Sequence, residues 1–503
     1  MSPESASERE QSPSMAEPAR PHRGGIWRRW ARATWWIALV FAGYQLFVPP
    51  IVGQGDTGDM WRNMLAGGLD YAPGFDVATM RVVHAIEAFQ LRAPRFSKGE
   101  GGKWDDPAIT SEMLVIFLAR GLHWVFGKTP LLDIRYLGLA HLLLFMAGWR
   151  MCLEVGLRRL NPRAIGVAST LALLFFTDVG YVAYFNTAYG EAATLSFLSL
   201  VVGCALMFID RGRSFWFRAF VIASLLLVVA KAQNSLAIFP LAALLLVFAR
   251  RVSRSWATAV GAIAVLVVGA TVVFQKGHMD AMRHADIYSA IFTGILPTSD
   301  DPKAVMVEFG LDPRLEKYIG ITHWGTPEGP QGDPVFEAEF ADRTSFLPIV
   351  SYYARNPFQV LRLCVKGAPD AFFLRMPYMG NFTPGSGMPP LSQSQAFALW
   401  SSFKAQVVPR VFGILVLIVG GAFALAGLGV LRASAPEARL AAGLVLVLAS
   451  MAVLQYLTSI LANGIEGLSR HLFFFNALMD LLLIAGAAAA LDRGSPQNSA
   501  ATS

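Results

Sequence analysis

Apolar residues in this chain gather in runs of roughly 18 or more, each long enough to cross a bilayer as a helix. The runs predict spans near 35–52, 133–151, 164–184, 192–210, 215–231, 234–250, 256–275, 409–431, 438–460 and 470–490, about ten in all. Met113–Phe126 is also apolar, but it is short and interrupted by Arg120 and His123, so it reads as an interfacial or re-entrant helix. Two polar segments break the pattern. The first, 53–132, carries an amphipathic stretch at Phe75–Leu91 that predicts a helix. The second, 276–408, contains Ser299-Asp-Asp-Pro302, an acidic cap followed by proline in a first turn, with Gly310 placed to end that helix. Gly325 to Pro334 reads as a surface loop, and no repeat at a solenoid period is present.

The expected fold is an all-α polytopic membrane protein. Its expected parts are a disordered basic cytoplasmic tail (1–33), an N-terminal transmembrane module (34–275), a large periplasmic loop region (276–408), C-terminal transmembrane helices (409–491) and a cytoplasmic tail (492–503). Charge sets the sides. Arg23, Arg28, Arg29 and Arg32 precede the first span and place the N-terminus in the cytoplasm. With Met113–Phe126 kept out of the count, Arg150, Arg158, Arg159 and Arg163 also fall inside, as do Arg211, Arg213, Arg250, Arg251, Arg254, Arg432 and Arg439. Both termini are then cytoplasmic. No cleavage site follows the first apolar run, so the N-terminus is not a signal peptide.

Composition agrees. Of 503 residues 54% are hydrophobic and 15% charged, with mean hydropathy +0.46; a soluble domain carries about 25% charged residues. The net charge of +7 is spread over short turns, which fits membrane topology and argues against a nucleic-acid partner. Cys152, Cys204 and Cys364 are too far apart to suggest a disulfide framework or zinc site. There is no phosphate-binding loop and no dinucleotide fingerprint, which disfavours nucleotide-driven transport.

Candidate chemistry sits at one set of helix ends. Gly53-Gln-Gly-Asp-Thr-Gly-Asp-Met-Trp-Arg62 follows the first span and delivers Asp56 and Asp59, with Arg62 three residues on. Asp133 and Arg135, then Asp178, then Tyr181 to Glu191 with Asn186 inside it, lie at the same side, as do Lys231-Ala-Gln-Asn234 and Asn463 to His471, which holds Glu466 and Arg470. Charged residues at helix ends commonly snorkel and do nothing else. Acids, amides, aromatics and histidine collected on one side are nonetheless the make-up of a binding surface. Asp480, about 15 Å into the last span by helical rise, is expected to have a buried Arg or Lys partner on another helix. Asn381-Phe-Thr383 matches a glycosylation sequon and carries no weight. A carboxylate beside cations at the outer interface suits sugar transfer from a polyprenyl-phosphate donor. The acid takes the acceptor proton and the cations meet the charge growing on the departing phosphate.

Gly55-Asp-Thr-Gly-Asp59 with Arg62, Asp178-Val-Gly-Tyr181 with Tyr184 to Glu191, and Glu466 with Arg470-His471 and Asn476 resemble, in that order and topology, the GT-C superfamily of integral-membrane glycosyltransferases. More narrowly they resemble the WsfD-like hexose transferases of glycan biosynthesis. The resemblance runs from about residue 35 to 490. It implies a GT-C-like bundle in a bacterial inner membrane with the active site facing the periplasm. It also implies a polyprenyl-phosphate sugar donor, a glycan acceptor and an acid after the first span as base. Asp56 and Asp59 both fit that role, Asp56 being favoured, with a helix cap as the competing use of either. Arg470, His471 and Lys231 are the candidates for the donor phosphate; Arg62, Asp178, Asn186, Glu191 and Glu466 are those for substrate. Tyr181, Tyr184 and Tyr189 either stack on sugar or form an ordinary interfacial aromatic belt. A divalent cation, Mg or Mn, would rest on Asp56 and Asp59. The competing classes are a flippase or transporter and an O-antigen-type polymerase or ligase. The last would draw on Arg355, His278, Arg283, His284 and His323.

Overall fold

In hydrocarbon a backbone has no water to bond, so apolar runs satisfy themselves as helices. The computed structural model describes residues 23–96, 107–252, 256–276, 280–324, 328–340, 343 and 345–493. In chain order its N-terminal part is α1 (Arg23–Phe47), α2 (Asp59–Gly67), β1 (Leu69–Tyr71), α3 (Val77–Met80), β2 (Ala88–Leu91), α4 (Glu112–Phe126), β3 (Leu131–Asp133), α5 (Arg135–Arg159), α6 (Pro162–Phe176), α7 (Val179–Val182), α8 (Gly190–Arg211), α9 (Ser214–Val228), α10 (Ile238–Val252) and α11 (Trp256–Lys276). The region expected to lie outside, called the outer region, follows as α12 (Asp280–Ser289), α13 (Pro302–Glu308), α14 (Pro334–Phe340), α15 (Leu347–Arg355), α16 (Pro357–Gly367) and α17 (Leu399–Gln406). The chain closes with α18 (Phe412–Arg432), α19 (Pro436–Asn463), α20 (Leu468–His471) and α21 (Phe473–Arg493).

Every predicted span is largely helical, and the fold is an all-α polytopic membrane bundle. Among the described residues six helices are long and apolar enough to cross a membrane, and the pair 162–176 and 179–186, bent by 58°, makes up to seven. Residues 214–228 and 258–271 form shorter apolar helices. The arginine-rich turns gather at one end of the bundle, where Arg159 and Arg158 pair with Asp210 at 2.6 and 2.8 Å and Arg251 with Glu437 at 3.2 Å. α4 has 15 residues, about 22 Å by helical rise, and leaves Leu114, Leu118 and Trp124 exposed.

The first outer loop departs from expectation. Phe75–Leu91 is not an amphipathic helix. Only the four residues of α3 are helical there, capped by Asp76, and Ala88–Leu91 is instead the central strand of a small antiparallel sheet, β1-β2-β3. Tyr71 pairs with Phe89, and Phe89 with Leu132. The alternation of Phe89 and Leu91 with polar neighbours is a strand period, and residues 81–83 are a turn whose carbonyls accept the amides of Asp56, Gly380 and Leu391. α13 forms as expected, with Asp301 accepting from the Ala304 amide at 3.0 Å and Gly310 at φ 62° just beyond it. Of Gly325 to Pro334, residues 325–327 lie outside the described residues, and the rest is turn up to Pro334, which opens α14.

Asp480 has the buried cation it requires, but from the outer region. Lys404 on α17 approaches Asp480 Oδ1 at 3.2 Å and Asn476 Oδ1 at 2.5 Å. The Tyr181 hydroxyl and the Trp400 indole N–H both donate to Asp480 Oδ2, at 2.7 and 2.9 Å. α17 is therefore seated among the spans, clasped to α21.

Candidate active site

Asp56 organises the site, and its local geometry follows from glycine. The chain at 53–56 lies between two other strands of backbone. Gly53 and Gly55 amides donate to the carbonyls of Asn381 and Gly380, and the Asp56 amide donates to Arg81. A Cβ on Gly55 would stand 2.0 Å from the Val82 carbonyl oxygen, so no side chain fits there. Gly58 turns the chain into α2 at φ 104°, a conformation L-residues rarely adopt. Gly55→Ala is expected to lower stability by about 1–3 kcal/mol as the backbone shifts to admit the methyl group, read as a fall in Tm. Asn381 is buried, its amide donating to the Gly53 carbonyl at 3.0 Å and Gln54 Oε1 at 2.9 Å. It holds this loop and is closed to glycosylation.

Past Gly58 the Asp56 carboxylate meets the start of α2. Oδ1 accepts the Gly58 and Met60 amides at 2.6 and 3.1 Å, and Oδ2 accepts the Tyr71 hydroxyl at 2.5 Å. Asp56 thus makes capping contacts at the start of α2, the competing use that the sequence left open for either aspartate. Burial pushes its carboxyl above the usual range, against the opposing hydrogen bonds from Tyr71 and Gly58.

Asp59, in the first turn of α2, forms an ion pair with Arg470 at 2.7 Å. Burial alone would raise its carboxyl, but Arg470 and then Lys231, Arg62 and His471 outweigh it and hold Asp59 well below the usual range. Arg470 also donates to Thr57 Oγ1 at 2.5 Å and lies 5.8 Å from the Tyr189 ring centroid. Lys231, between α9 and α10, pairs with Glu191 on the first turn of α8 at 2.6 Å. The structure therefore brings Asp56, Asp59, Arg62, Glu191, Lys231, Arg470 and His471 into one cluster at the helix ends opposite the arginine turns.

His471 differs from expectation. Burial, then Lys231 and Arg470, push its imidazole well below its ordinary value, so at neutral pH it is uncharged. Its Nδ1 accepts from the Gln233 amide at 2.8 Å, leaving Nε2 as the N–H donor.

Three expected substrate residues make structural hydrogen bonds, mostly to backbone. Asp178 accepts the Gly180 and Ser401 amides, both at 2.8 Å, and so seats α17. Asn186 donates to the Leu46 and Val52 carbonyls at 3.1 and 2.7 Å, fixing the exit of α1. Glu466 accepts the His323 and Trp324 amides at 3.0 and 3.1 Å and the Ser289 hydroxyl, tying the outer region to the turn between α19 and α21. An acid or amide in a turn announces hydrogen bonding, and sequence alone does not give its partner.

The tyrosines are no interfacial belt: Tyr181, Tyr184 and Tyr189 are all fully buried. Tyr189 donates to the Gly55 carbonyl at 3.0 Å and accepts the Thr57 amide at 2.8 Å. The Tyr184 hydroxyl has no hydrogen-bond partner among the described residues, although Glu191, Tyr189, Arg470 and Tyr378 stand near it. Tyr71, Arg81 and Tyr378 join the site without having been singled out in the sequence, brought there by folding of the first outer loop and the outer region. Thr57 and Gln233, which lie inside the sequence motifs, join it as well.

A divalent cation does not fit this arrangement. Among the described residues no group of three or more His, Cys, Asp or Glu side chains is arranged to hold a metal. The two carboxylates expected to carry it are committed to a phenol, amides and a guanidinium.

Residues 33–500 match the family described as the YfdI N-terminal transmembrane domain. Neither the curated proteins nor the solved structures yield a match.

Proposed function

The chain belongs to the YfdI N-terminal transmembrane domain family, and from that premise and the site geometry we propose that it is a membrane glycosyltransferase of the GT-C type. It moves a sugar, a hexose on the WsfD-like resemblance, from a polyprenyl-phosphate donor to a periplasmic or cell-envelope glycan. The observation that carries the reading is the placement of Asp56 beside a buried cationic cluster. Arg62, Lys231 and Arg470 stand against the two paired carboxylates Asp59 and Glu191. A lipid phosphate entering there meets fixed donors where its charge grows, which is where electrostatic stabilisation acts most strongly. Asp59 is a weak base, held ionised by Arg470, and its part is to orient that guanidinium. Asp56, its carboxyl raised by burial, is the better base. His471 offers an N–H to the phosphate, and Glu191 with the orphaned Tyr184 hydroxyl suits the sugar hydroxyls. With the arginine turns in the cytoplasm, this cluster faces the periplasm across a bacterial inner membrane.

Transport is the weaker reading, because a transporter places its site near the midplane in broken helices, whereas this cluster occupies helix ends. Of the polymerase set, Arg355 pairs with exposed Glu308 at 2.7 Å, the His323 ring packs against Tyr288 and Trp324, and His278 falls outside the described residues.

Binding of polyprenyl phosphate to the purified protein in detergent tests the donor side. Arg470→Gln is expected to weaken it by about 10- to 100-fold, the loss of one charge-assisted hydrogen bond of about 1.5–3 kcal/mol. The double variant Asp59→Asn/Arg470→Gln leaves no unpaired charge and is expected to fold yet bind as weakly. Wild-type affinity in both variants would remove the phosphate from this cluster.

A further inference from the structure

The hydrogen bonds around Asp56 leave it no free approach. Its carboxylate is fully buried, Oδ1 is filled by two amides, and Oδ2 is covered by the Tyr71 hydroxyl at 2.5 Å. An acceptor hydroxyl coming from outside therefore meets Tyr71 before it meets Asp56.

Tyr71 is held for such a contact. It ends β1, where it pairs with Phe89 of the central strand. Its ring is clamped between Trp61 and Phe75, with centroids 5.0 and 5.4 Å away and planes within 7° and 3° of parallel. Arg81 stands near the same phenol and acts electrostatically on both Tyr71 and Asp56. Beside Arg81 opens a cavity of about 250 Å³, lined by Val77, Ala78, Thr79, Arg81, Val82 and Val83. That volume lies just below the usual small-molecule range of about 300–1,000 Å³, room for a single sugar unit, and Arg81 is the lining residue that acts on Tyr71.

We propose that Tyr71 relays the acceptor proton to Asp56, and that the cleft beside Arg81 receives the acceptor sugar. The inference rests on the sugar-transfer reading above and adds the acceptor side to it. In the step, the acceptor oxygen forms its bond to the anomeric carbon while the bond from that carbon to the donor phosphate oxygen breaks. The electron pair of the broken bond leaves with the lipid phosphate. The acceptor proton passes to Tyr71 Oη, and the phenol proton passes to Asp56 Oδ2. Tyr71 is neutral before and after, so no other reactant is needed. Burial, then the adjacent Asp56 carboxylate, push the phenol far above its ordinary value, so a free phenolate does not accumulate and the two transfers are concerted. Arg81 steadies the negative charge passing through the ring oxygen.

The test uses the full-length protein in detergent with a labelled polyprenyl-phosphate sugar and a glycan acceptor. Tyr71→Phe keeps the stacked ring and is expected to lower kcat by about 100-fold or more with donor binding unchanged, at a modest cost in Tm from the hydrogen bond lost to Asp56. In the relay two protons move in one step, so the wild type is expected to show a solvent deuterium isotope effect on kcat with a curved dependence on deuterium content. A merely structural tyrosine would give a linear one. Wild-type kcat in Tyr71→Phe, with Asp56→Asn inactive, would overturn the relay and leave the sugar-transfer reading standing. A linear dependence of the wild-type rate on deuterium content would do the same. A wild type that transfers no sugar from any donor would overturn the reading on which the relay rests.

Discussion

Asp56→Asn is expected to lower sugar transfer by about 100- to 10,000-fold, the usual worth of a positioned general base, with donor binding retained. The substitution is close to isosteric, and its carbonyl oxygen can still accept the Gly58 and Met60 amides that start α2. What it loses is the second oxygen that takes the proton. A pH dependence follows from the same carboxyl. Burial raises its pKa, and a base must be deprotonated to act, so activity is lost as pH falls through that raised value. The acid limb of kcat/KM in the wild type should then lie above the ordinary aspartate value of about 3.9. An acid limb at or below that value would show that Asp56 is not the group being titrated. Asp59→Asn should behave differently, because Asp59 is ionised over the whole working range by its pairing with Arg470. Its loss should appear in donor binding more than in the acid limb.

The second large effect concerns stability. Lys404→Met leaves Asp480 as a buried charge whose cation is gone, and breaking such a pair costs about 3–5 kcal/mol. The Tyr181 and Trp400 donors remain, but they do not replace the charge. A marked fall in Tm in detergent is expected, together with release of α17 from the bundle. Lys404→Met/Asp480→Asn should recover most of the loss, since no uncompensated charge is left. Equal Tm values for the wild type and the single variant would show that the pair contributes nothing to holding α17.

Much of the fold was legible because hydrocarbon leaves a chain few choices: a long apolar run becomes a helix. The demand of Asp480 for a buried cation was legible for a related reason, the cost of an unpaired charge at that depth. The identity of the cation was not. Lys404 sits in a segment that reads as outer and polar, and only the docking of Trp400 and Lys404 shows that α17 enters the bundle. The cluster itself was largely visible, since Asp56, Asp59, Arg62, Glu191, Lys231, Arg470 and His471 all lie at turns on one side. Asp178, Asn186 and Glu466 lie at the same turns yet bond backbone, a distinction set by side-chain direction. Tyr71 and Arg81 were hidden by the strand pairing of 69–71 with 88–91, which a helical reading of 75–91 conceals. The charge state of His471 was hidden too, because it depends on burial beside Lys231 and Arg470.

The central claim is that this cluster transfers sugar from a lipid phosphate with Asp56 as base. Its most direct test is transfer of radiolabelled hexose from synthetic polyprenyl-phosphate hexose to cell-envelope glycan, comparing purified wild type with Asp56→Asn. The account predicts labelled glycan with the wild type and a loss of at least about 100-fold in the variant. Equal rates in the two proteins, or movement of the intact lipid across vesicles with no sugar released, would contradict it.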